Sequence, residues 1–290
     1  MFEVIDVSDW AVDELDEQLG TKEKWWLQDR TWLFKQVRAG RDGPLGEDWA
    51  EKVVEQLGRR LGTPVAEVEL AIRHGAPGII SRSVVPADAR LEHGNELLVR
   101  VDPDYDRDQS RYNVRYTVAA VKAALEGVTA PTAAPELLAF NAFDVWTGYL
   151  VLDAWVGGRD RHHENWGAVS RGPSRELAPS FDHGNALGFQ ESDTARDRLA
   201  RDSDALARWA RRGKSHHFAG KPRLSDLANE ALSLASDVAR THWREQLVGV
   251  GQDECQENVE QVPGTVMSAE ARTFVLELLK TNQRRLIDGD

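Results

Sequence analysis

The chain contains 290 residues, of which 41% are hydrophobic and 29% are charged, so it is long enough and apolar enough to fold around a buried core. Its net charge of −12 disfavours nucleic acid and anionic membrane surfaces as partners, because both are themselves negatively charged. The single cysteine, Cys255, excludes an intramolecular disulfide, and the sequence shows neither a signal peptide nor an apolar run that could span a bilayer. We therefore expect a soluble cytoplasmic protein.

Two β-prone segments near the N-terminus predict a hairpin. Residues 25–28 and 31–37 flank a polar turn at Asp29 and Arg30. In the second segment Lys35 lies among apolar residues, where a buried ammonium group would need a partner of opposite charge. The alternation of side chains along a strand also permits a lysine that faces solvent, so the pattern alone leaves both interpretations open.

A helix and three strands are predicted after the hairpin. Apolar residues recur every four positions over residues 47–61, and Gly62 ends the helix that this spacing predicts. The strands are predicted over residues 65–72, 78–85 and 95–101, where apolar and β-branched residues are frequent.

The remainder of the chain has mainly helical patterns. Apolar residues almost encircle the predicted helix at residues 136–156, which indicates a helix buried on every side, and Gly157 and Gly158 provide its end. A polar loop is predicted at residues 249–264. Further helices are predicted over residues 116–125, 193–212, 224–240, 241–247 and 268–287.

Polar residues after the long helix have the order of a phosphoryl-transfer site. Asp160 is followed by Asn165, and Asp182 precedes Gly184 after a gap the size of a hairpin. One carboxylate can orient an acceptor hydroxyl, while an amide and a second carboxylate hold Mg²⁺ against nucleotide phosphates. The simpler alternative is a helix end that runs into a polar loop, followed by an ordinary Asp-x-Gly turn.

Two other polar groups allow more than one interpretation. A zinc site could be formed by His162, His163 and His183, but their spacing matches no standard pattern of zinc ligands. The basic segment at residues 211–218 could receive an acidic substrate or a phosphate. It could equally place cations at the C-terminus of a helix, where the helix dipole favours them.

The motifs resemble those of known kinases. The sequence Asp160-Arg-His-His-Glu-Asn165 resembles the catalytic loop of phosphoinositide 3-/4-kinase-like enzymes and of the HipA family of bacterial Ser/Thr kinases. Ser180-Phe-Asp-His-Gly184 resembles their metal-binding motif, with His183 where many kinases have phenylalanine. Near the N-terminus, Gly20-Thr-Lys-Glu-Lys-Trp-Trp-Leu27 resembles the HipA-family nucleotide loop, and Trp32-Leu-Phe-Lys35 resembles its lysine strand.

This resemblance implies an α+β, bilobal, protein-kinase-like fold with a small β-rich N-lobe at residues 1–82 and a larger, mostly helical C-lobe at residues 83–290. It implies an ATP-dependent, HipA-like kinase that transfers the γ-phosphoryl group to a Ser/Thr hydroxyl of a protein. The alternatives are a small-molecule phosphotransferase of the same fold and a non-catalytic nucleotide-binding module. Since the nucleotide loop begins near residue 20, we expect no counterpart of the subdomain that precedes the HipA kinase core. The sequence does not decide whether an antitoxin partner exists.

The resemblance also assigns nucleotide contacts. Lys35 would hold the α- and β-phosphates of ATP, oriented by Glu51 or, one helical turn later, by Glu55. The other nucleotide contacts would come from Gly20, Thr21 and Lys24 in the loop and from the chain around Ile80, Ser81 and Ser83 beside adenine.

The catalytic and metal-binding roles fall on the loop motifs. Asp160 would orient the acceptor hydroxyl. His162 would act as a proton shuttle or as an electrostatic stabiliser, or it would only brace the loop. The ligands of Mg²⁺ would be Asn165 and Asp182.

Overall fold

The computed structural model describes residues 1–13, 24–40 and 43–289. Its strands are β1 (Val4–Asp6), β2 (Lys24–Leu27), β3 (Trp32–Gln36), β4 (Ala39–Gly40), β5 (Gly43–Pro44), β6 (Val68–Arg73), β7 (Ala76–Arg82), β8 (Arg90–His93), β9 (Gly167–Arg171) and β10 (Ser174–Leu177). Its α-helices are α1 (Glu47–Arg60), α2 (Gly94–Val101), α3 (Val118–Ala124), α4 (Ala142–Val156), α5 (Asp193–Arg201), α6 (Ser203–Arg211), α7 (Leu224–Leu234), α8 (Asp237–Gly249), α9 (Gln252–Glu260) and α10 (Ala269–Asp288).

A five-stranded sheet forms the N-terminal part, in the order β1-β6-β7-β3-β2. β1 runs parallel to β6, and the other neighbours are antiparallel. Helix α1 packs against β6 and β7. Its buried residues Trp49, Val53 and Leu57 lie on one face because they recur every four positions, which confirms the predicted helix.

The hairpin of β2 and β3 is also confirmed. Gln28, Asp29 and Arg30 in its turn have left-handed φ angles of 55°, 53° and 60°. In the antiparallel register Lys24 lies opposite Lys35, and opposite residues of such a pair point to the same face of the sheet. The two lysines are therefore neighbours on one surface.

The strand predicted at residues 95–101 is wrong, because this segment forms helix α2. A short apolar run does not distinguish a buried strand from a buried helix, and here the local capping decides. The backbone N–H of His93 is bound by the carboxylate of Glu96, which closes the first turn of the helix. The strand lies just before it, as β8, which pairs with β9.

Helix α4 is buried along its whole length, as its apolar surface predicts, but it begins at Ala142 rather than at residue 136. Asn141 caps it by accepting the backbone N–H of Asp144 at 2.9 Å, and residues 135–137 form a separate 3-10 turn. The predicted glycine end is confirmed, since Gly157 adopts a left-handed φ of 70°.

Helices α5 to α10 complete the C-terminal part and depart from the prediction at three places. The helix predicted at 193–212 is divided by Asp202, which caps α6. Ser236 caps α8 and so separates it from α7, inside the helix predicted at 224–240. The predicted loop at 249–264 contains α9. None of the helices in the described ranges is long and apolar enough to cross a membrane.

Candidate functional site

A buried lysine on β3 meets two carboxylates from distant parts of the chain. Lys35 Nζ lies 2.9 Å from Asp182 Oδ1 and 4.0 Å from Glu51 Oε1. Lys35 is only 7% exposed, so these carboxylates offset the cost of burying its charge. Of the two interpretations of Lys35, the structure therefore supports the buried and paired lysine.

Glu51 joins helix α1 to the segment that carries Asp182. Besides facing Lys35, its carboxylate accepts the backbone N–H of His183 at 2.9 Å. The alternative carboxylate, Glu55, instead pairs with Lys52 at 3.3 Å and with Arg59. The structure thus brings Glu51, and not Glu55, to the lysine.

Asp182 holds an unusual backbone conformation at the centre of this group. Its φ angle is 63°, in the left-handed region that non-glycine residues rarely adopt. Such a conformation costs about 1–3 kcal/mol and persists only where the surrounding structure enforces it. Here the contacts of Lys35 and Glu51 enforce it from both sides.

The loop after α4 is fixed by a buried guanidinium group. Arg161 donates two hydrogen bonds of 2.8 Å to the carboxylate of Asp153 on α4 and one of 2.8 Å to the Asn165 carbonyl. Its own carbonyl accepts the hydroxyl of Tyr116 at 3.0 Å. Because α4 is rigid and buried, this bidentate pair positions the loop that carries Asp160.

Asn165 closes the same loop. Its Nδ2 donates to the Asp160 carbonyl at 2.7 Å, which leaves the amide oxygen as the atom able to bind a cation. Asp160 and Asp182 both line one small cavity, together with Asn185. The loop and the Asp182 segment therefore face a common space.

His217, which the sequence analysis did not single out, contacts Asp160 directly. Its Nε2 lies 2.9 Å from Asp160 Oδ1, and its Nδ1 lies 2.6 Å from the Ser110 carbonyl. Each ring nitrogen of His217 therefore lies within hydrogen-bond distance of an oxygen atom. Burial raises the pKa of Asp160, but the hydrogen bond from His217 and the charge of His162 outweigh it and leave that pKa below its ordinary value. Asp160 is therefore ionised at neutral pH.

His162 lies beside this pair. Its ring centroid is 5.2 Å from that of His217, and its Nδ1 accepts the backbone N–H of Glu164 at 3.2 Å. Burial lowers the pKa of His162, although the charge of Asp160 opposes this effect. Its side chain is partly exposed, and its backbone N–H donates to the Asp160 carbonyl at 2.8 Å, so its role stays a prediction.

The other two histidines of the zinc alternative brace the fold. His163 Nδ1 lies 2.7 Å from the Tyr105 hydroxyl, and His183 Nε2 lies 2.8 Å from the Ser180 hydroxyl. Burial lowers the pKa of His163 to about 4 and that of His183 to about 3, so both rings are neutral. No group of three or more possible metal ligands of the His, Cys, Asp and Glu types occurs in the described ranges.

The remaining residues predicted to contact the nucleotide lie in different parts of the structure. Lys24 lies opposite Lys35 on β2, whereas Gly20 and Thr21 lie outside the described residues. Of the residues expected beside adenine, Ile80 and Ser81 are buried in β7. Ser83 follows the strand, and its backbone N–H donates to the Thr31 carbonyl at 2.8 Å. Their contact with a nucleotide stays a prediction, as does a lobe boundary at residue 82, where β7 ends.

An N-terminal sheet that carries a buried lysine, followed by a helical part that carries an Asp-Asn loop, is a protein-kinase-like fold. The Helicobacter pylori proinflammatory kinase CtkA has this fold: its crystal structure superposes with a TM-score of 0.76 at 17% identity, covering 99% of this chain and 96% of that one. A chain of the Shewanella oneidensis MR-1 HipA–HipB toxin–antitoxin complex with operator DNA has a TM-score of 0.51 at 13% identity, covering 95% of this chain and 68% of that one. Comparisons with protein-family models and with curated proteins gave no match.

Proposed function

We propose that the protein is an ATP-dependent, HipA-like kinase that transfers the γ-phosphoryl group to a Ser or Thr hydroxyl of a protein. The contact that carries this proposal is the 2.9 Å pair of Lys35 and Asp182, with Glu51 4.0 Å from the same ammonium group. A kinase needs a lysine for the α- and β-phosphates, a carboxylate that orients it and a carboxylate for the metal ion. With a single, buried cysteine, the chain also suits a reducing, ATP-containing compartment, so we propose a cytoplasmic location.

The donor set suits a magnesium ion. Asp182 supplies a carboxylate that is 25% exposed, and Asn165 supplies the amide oxygen that its hydrogen bond to Asp160 leaves available. Magnesium prefers such oxygen ligands and keeps the rest of its coordination for water and phosphate oxygens. Bound there, it would neutralise charge on the β- and γ-phosphates.

Asp160 would orient the acceptor hydroxyl and accept its proton. His217 binds its Oδ1, which leaves Oδ2 to accept the hydrogen bond of the acceptor hydroxyl. As the acceptor oxygen bonds to the γ-phosphorus, the bond from that phosphorus to the bridging oxygen breaks. The hydroxyl proton moves to Asp160 Oδ2, and ADP leaves with the electron pair.

The experiment that tests this proposal is a thermal shift with ATP and Mg²⁺, compared with ATP and EDTA. A ligand at one hundred times its Kd stabilises the fold by about 2.7 kcal/mol, which is readily measured. The shift should require Mg²⁺ and should disappear in Lys35→Ala and Asp182→Ala. Lys280→Ala is the matched control, since Lys280 is a partly exposed lysine on α10 that pairs with Glu277 at 3.9 Å.

Transfer is then measured with ATP labelled on the γ-phosphate and a pool of Ser/Thr peptides. Label on peptide supports the kinase proposal. Label only on small hydroxyl compounds would replace it with a small-molecule phosphotransferase. A metal-dependent shift without transfer to any acceptor would favour a nucleotide-binding module, and no shift at all would contradict the nucleotide site.

A further inference from the structure

A group of exposed side chains is connected to Asp160 through His217. We call it the acceptor-side patch, and it consists of Arg111, Tyr112, His216 and Lys221, all exposed. The backbone N–H of Tyr112 donates to the His216 carbonyl at 2.9 Å, and the two rings meet edge to face at 6.3 Å. Lys221 Nζ lies 4.2 Å from the centre of the Tyr112 ring. The patch is thus one continuous surface.

His217 connects both chain segments of this surface to Asp160. It follows His216 in sequence, and its Nδ1 binds the carbonyl of Ser110, the residue before Arg111. Its Nε2 contacts Asp160 at 2.9 Å. The single side chain of His217 therefore separates the backbone of the patch from the carboxylate proposed to bind the acceptor.

The positive charges of the patch have no ion-pair partners in the part of the chain that the structure describes. Within the described ranges neither Arg111 nor Lys221 forms an ion pair, whereas Arg115 in the same loop pairs with Asp102 and Asp104. Burial lowers the pKa of His216, and the positive charges of its neighbours lower it further. Those neighbours are His217, Lys221, Arg111 and Arg159. A concentration of cations in a protein of net charge −12 indicates an anionic ligand.

Backbone strain occurs at two members of the same patch. Tyr112 and Lys221 have left-handed φ angles of 58° and 53°. Neither residue is buried, so core packing does not impose these conformations. They hold the lysine over the ring, and strain of this kind is concentrated at binding sites.

We propose that the acceptor-side patch binds an acidic segment of a protein acceptor, with carboxylates near the Ser or Thr that receives the phosphoryl group. This rests on the proposed kinase function and names its substrate class. Arg111 suits bidentate recognition of a carboxylate, and Lys221 acts as a point charge. Tyr112, 51% exposed, gives an open aromatic platform of the kind that peptides contact rather than an enclosed pocket for a metabolite.

Two Ser/Thr peptide pools test the proposal, identical except that the flanking positions are Asp/Glu in one and Lys/Arg in the other. Binding to the full chain with ATP and Mg²⁺ is followed by fluorescence anisotropy, and transfer by labelled ATP. We expect at least roughly tenfold tighter binding of the acidic pool, the difference that about one charge-assisted hydrogen bond provides. Equal binding of the two pools would overturn the proposal.

The variant Arg111→Ala with Lys221→Ala should remove this preference by raising Kd and KM for the acidic pool roughly tenfold. The magnesium-dependent ATP shift and the basal ATP hydrolysis should be unchanged. Arg111→Glu with Lys221→Glu should reverse the preference toward the basic pool. The matched control is Arg201→Ala with Lys280→Ala, two cations in exposed ion pairs on α5 and α10.

The outcomes separate this proposal from the kinase proposal. If the patch variants bind the acidic pool as the wild type does, the patch proposal fails while an intact ATP shift preserves the nucleotide site. Tighter binding of a single-stranded DNA oligonucleotide than of the acidic peptides would also overturn it, since a phosphate backbone would then be the preferred anion. Loss of the ATP shift in the wild type would instead contradict the kinase proposal.

Discussion

Two groups of cationic side chains in this protein differ in whether a carboxylate pairs with them. Around Glu92 on β8, three arginines converge on one carboxylate that is 3% exposed. These are Arg90 at 3.0 Å, Arg100, and Arg175 at 3.3 Å. In the acceptor-side patch, by contrast, Arg111 and Lys221 have no ion-pair partner among the described residues. Cations that the protein pairs internally stabilise its fold, whereas cations left without a carboxylate beside a reactive group are available to a ligand.

The largest expected effect is the loss of phosphoryl transfer when Asp160, the carboxylate next to the acceptor-side patch, is changed. Asp160→Asn removes the carboxylate proposed to accept the hydroxyl proton, so transfer should fall by roughly 10²–10⁴-fold. The fold should persist, because the neighbouring backbone is held by Arg161 and Asn165. Transfer of labelled phosphate and the ATP thermal shift measure the two effects separately. A variant that phosphorylates as well as the wild type would contradict the role of Asp160.

At Glu92 we expect the opposite result, a loss of stability without a change in peptide preference. Glu92→Ala removes the common partner of three arginines, which should lower the free energy of unfolding by about 2 kcal/mol, the loss of hydrogen bonds to a charged group. The arginine heads are partly exposed, so water offsets part of the cost. Urea unfolding measures the change, and peptide preference should be unaffected. Glu67→Ala is the control, since its pair with Arg82 is exposed and should contribute less than about 1 kcal/mol.

The lowered pKa of Glu92 should make the stability of the protein depend on pH in the acid range. Burial alone would raise the pKa of Glu92, but the hydrogen bonds of Ser170 and Arg100 and the charges of Arg100 and Arg175 lower it from 4.5 to about 2. The unfolded chain therefore binds more protons between these values, so this contribution is complete above pH 4.5 and is lost as the pH falls toward 2. Urea unfolding at a series of pH values should show a shallower acid slope in Glu92→Gln than in the wild type. An identical slope would contradict the assignment.

The smallest effect concerns His217, which connects the carboxylate of Asp160 with the patch. Without its hydrogen bond the pKa of Asp160 should rise, because the largest remaining influence on it is burial. In His217→Ala the acid limb of kcat/KM should therefore move to higher pH, with roughly a tenfold loss of kcat/KM near neutrality. A purely structural histidine would lower the thermal midpoint without moving the pH limb. His74→Ala, at an exposed turn remote in sequence, is the control.

The elements that follow from local pattern were largely predictable. The hairpin, helix α1 and the left-handed end of α4 at Gly157 depend on residues close in sequence. Helix α2 was not predictable, because its apolar residues fit a strand equally well and only the Glu96 cap decides between the two. The motif spacing also places Asp160, Asn165 and Asp182 on adjoining segments.

Contacts between residues that are distant in sequence could not be predicted from such local patterns. His217 lies 57 residues from Asp160, and its only signal was its position at the end of a basic segment. The structure divides that segment: Arg211 ends α6, where the dipole favours a cation, whereas His217 contacts Asp160 and the His216 ring contacts that of Tyr112. The helix-terminus interpretation therefore applies to Arg211, whereas the binding of an acidic substrate by the rest of the segment stays a proposal.

The double contact of Glu51 has a thermodynamic consequence. One carboxylate faces Lys35 and also holds the backbone of His183, the residue after Asp182. A displacement of helix α1 would therefore disturb the lysine and the segment that carries Asp182 together. If nucleotide binds there as proposed and favours the present position of α1, a partner that also favours this position strengthens nucleotide binding by the same factor by which nucleotide strengthens the binding of that partner. Under the proposed function, helix α1 is thus a point at which a partner bound away from the nucleotide would set the affinity for ATP.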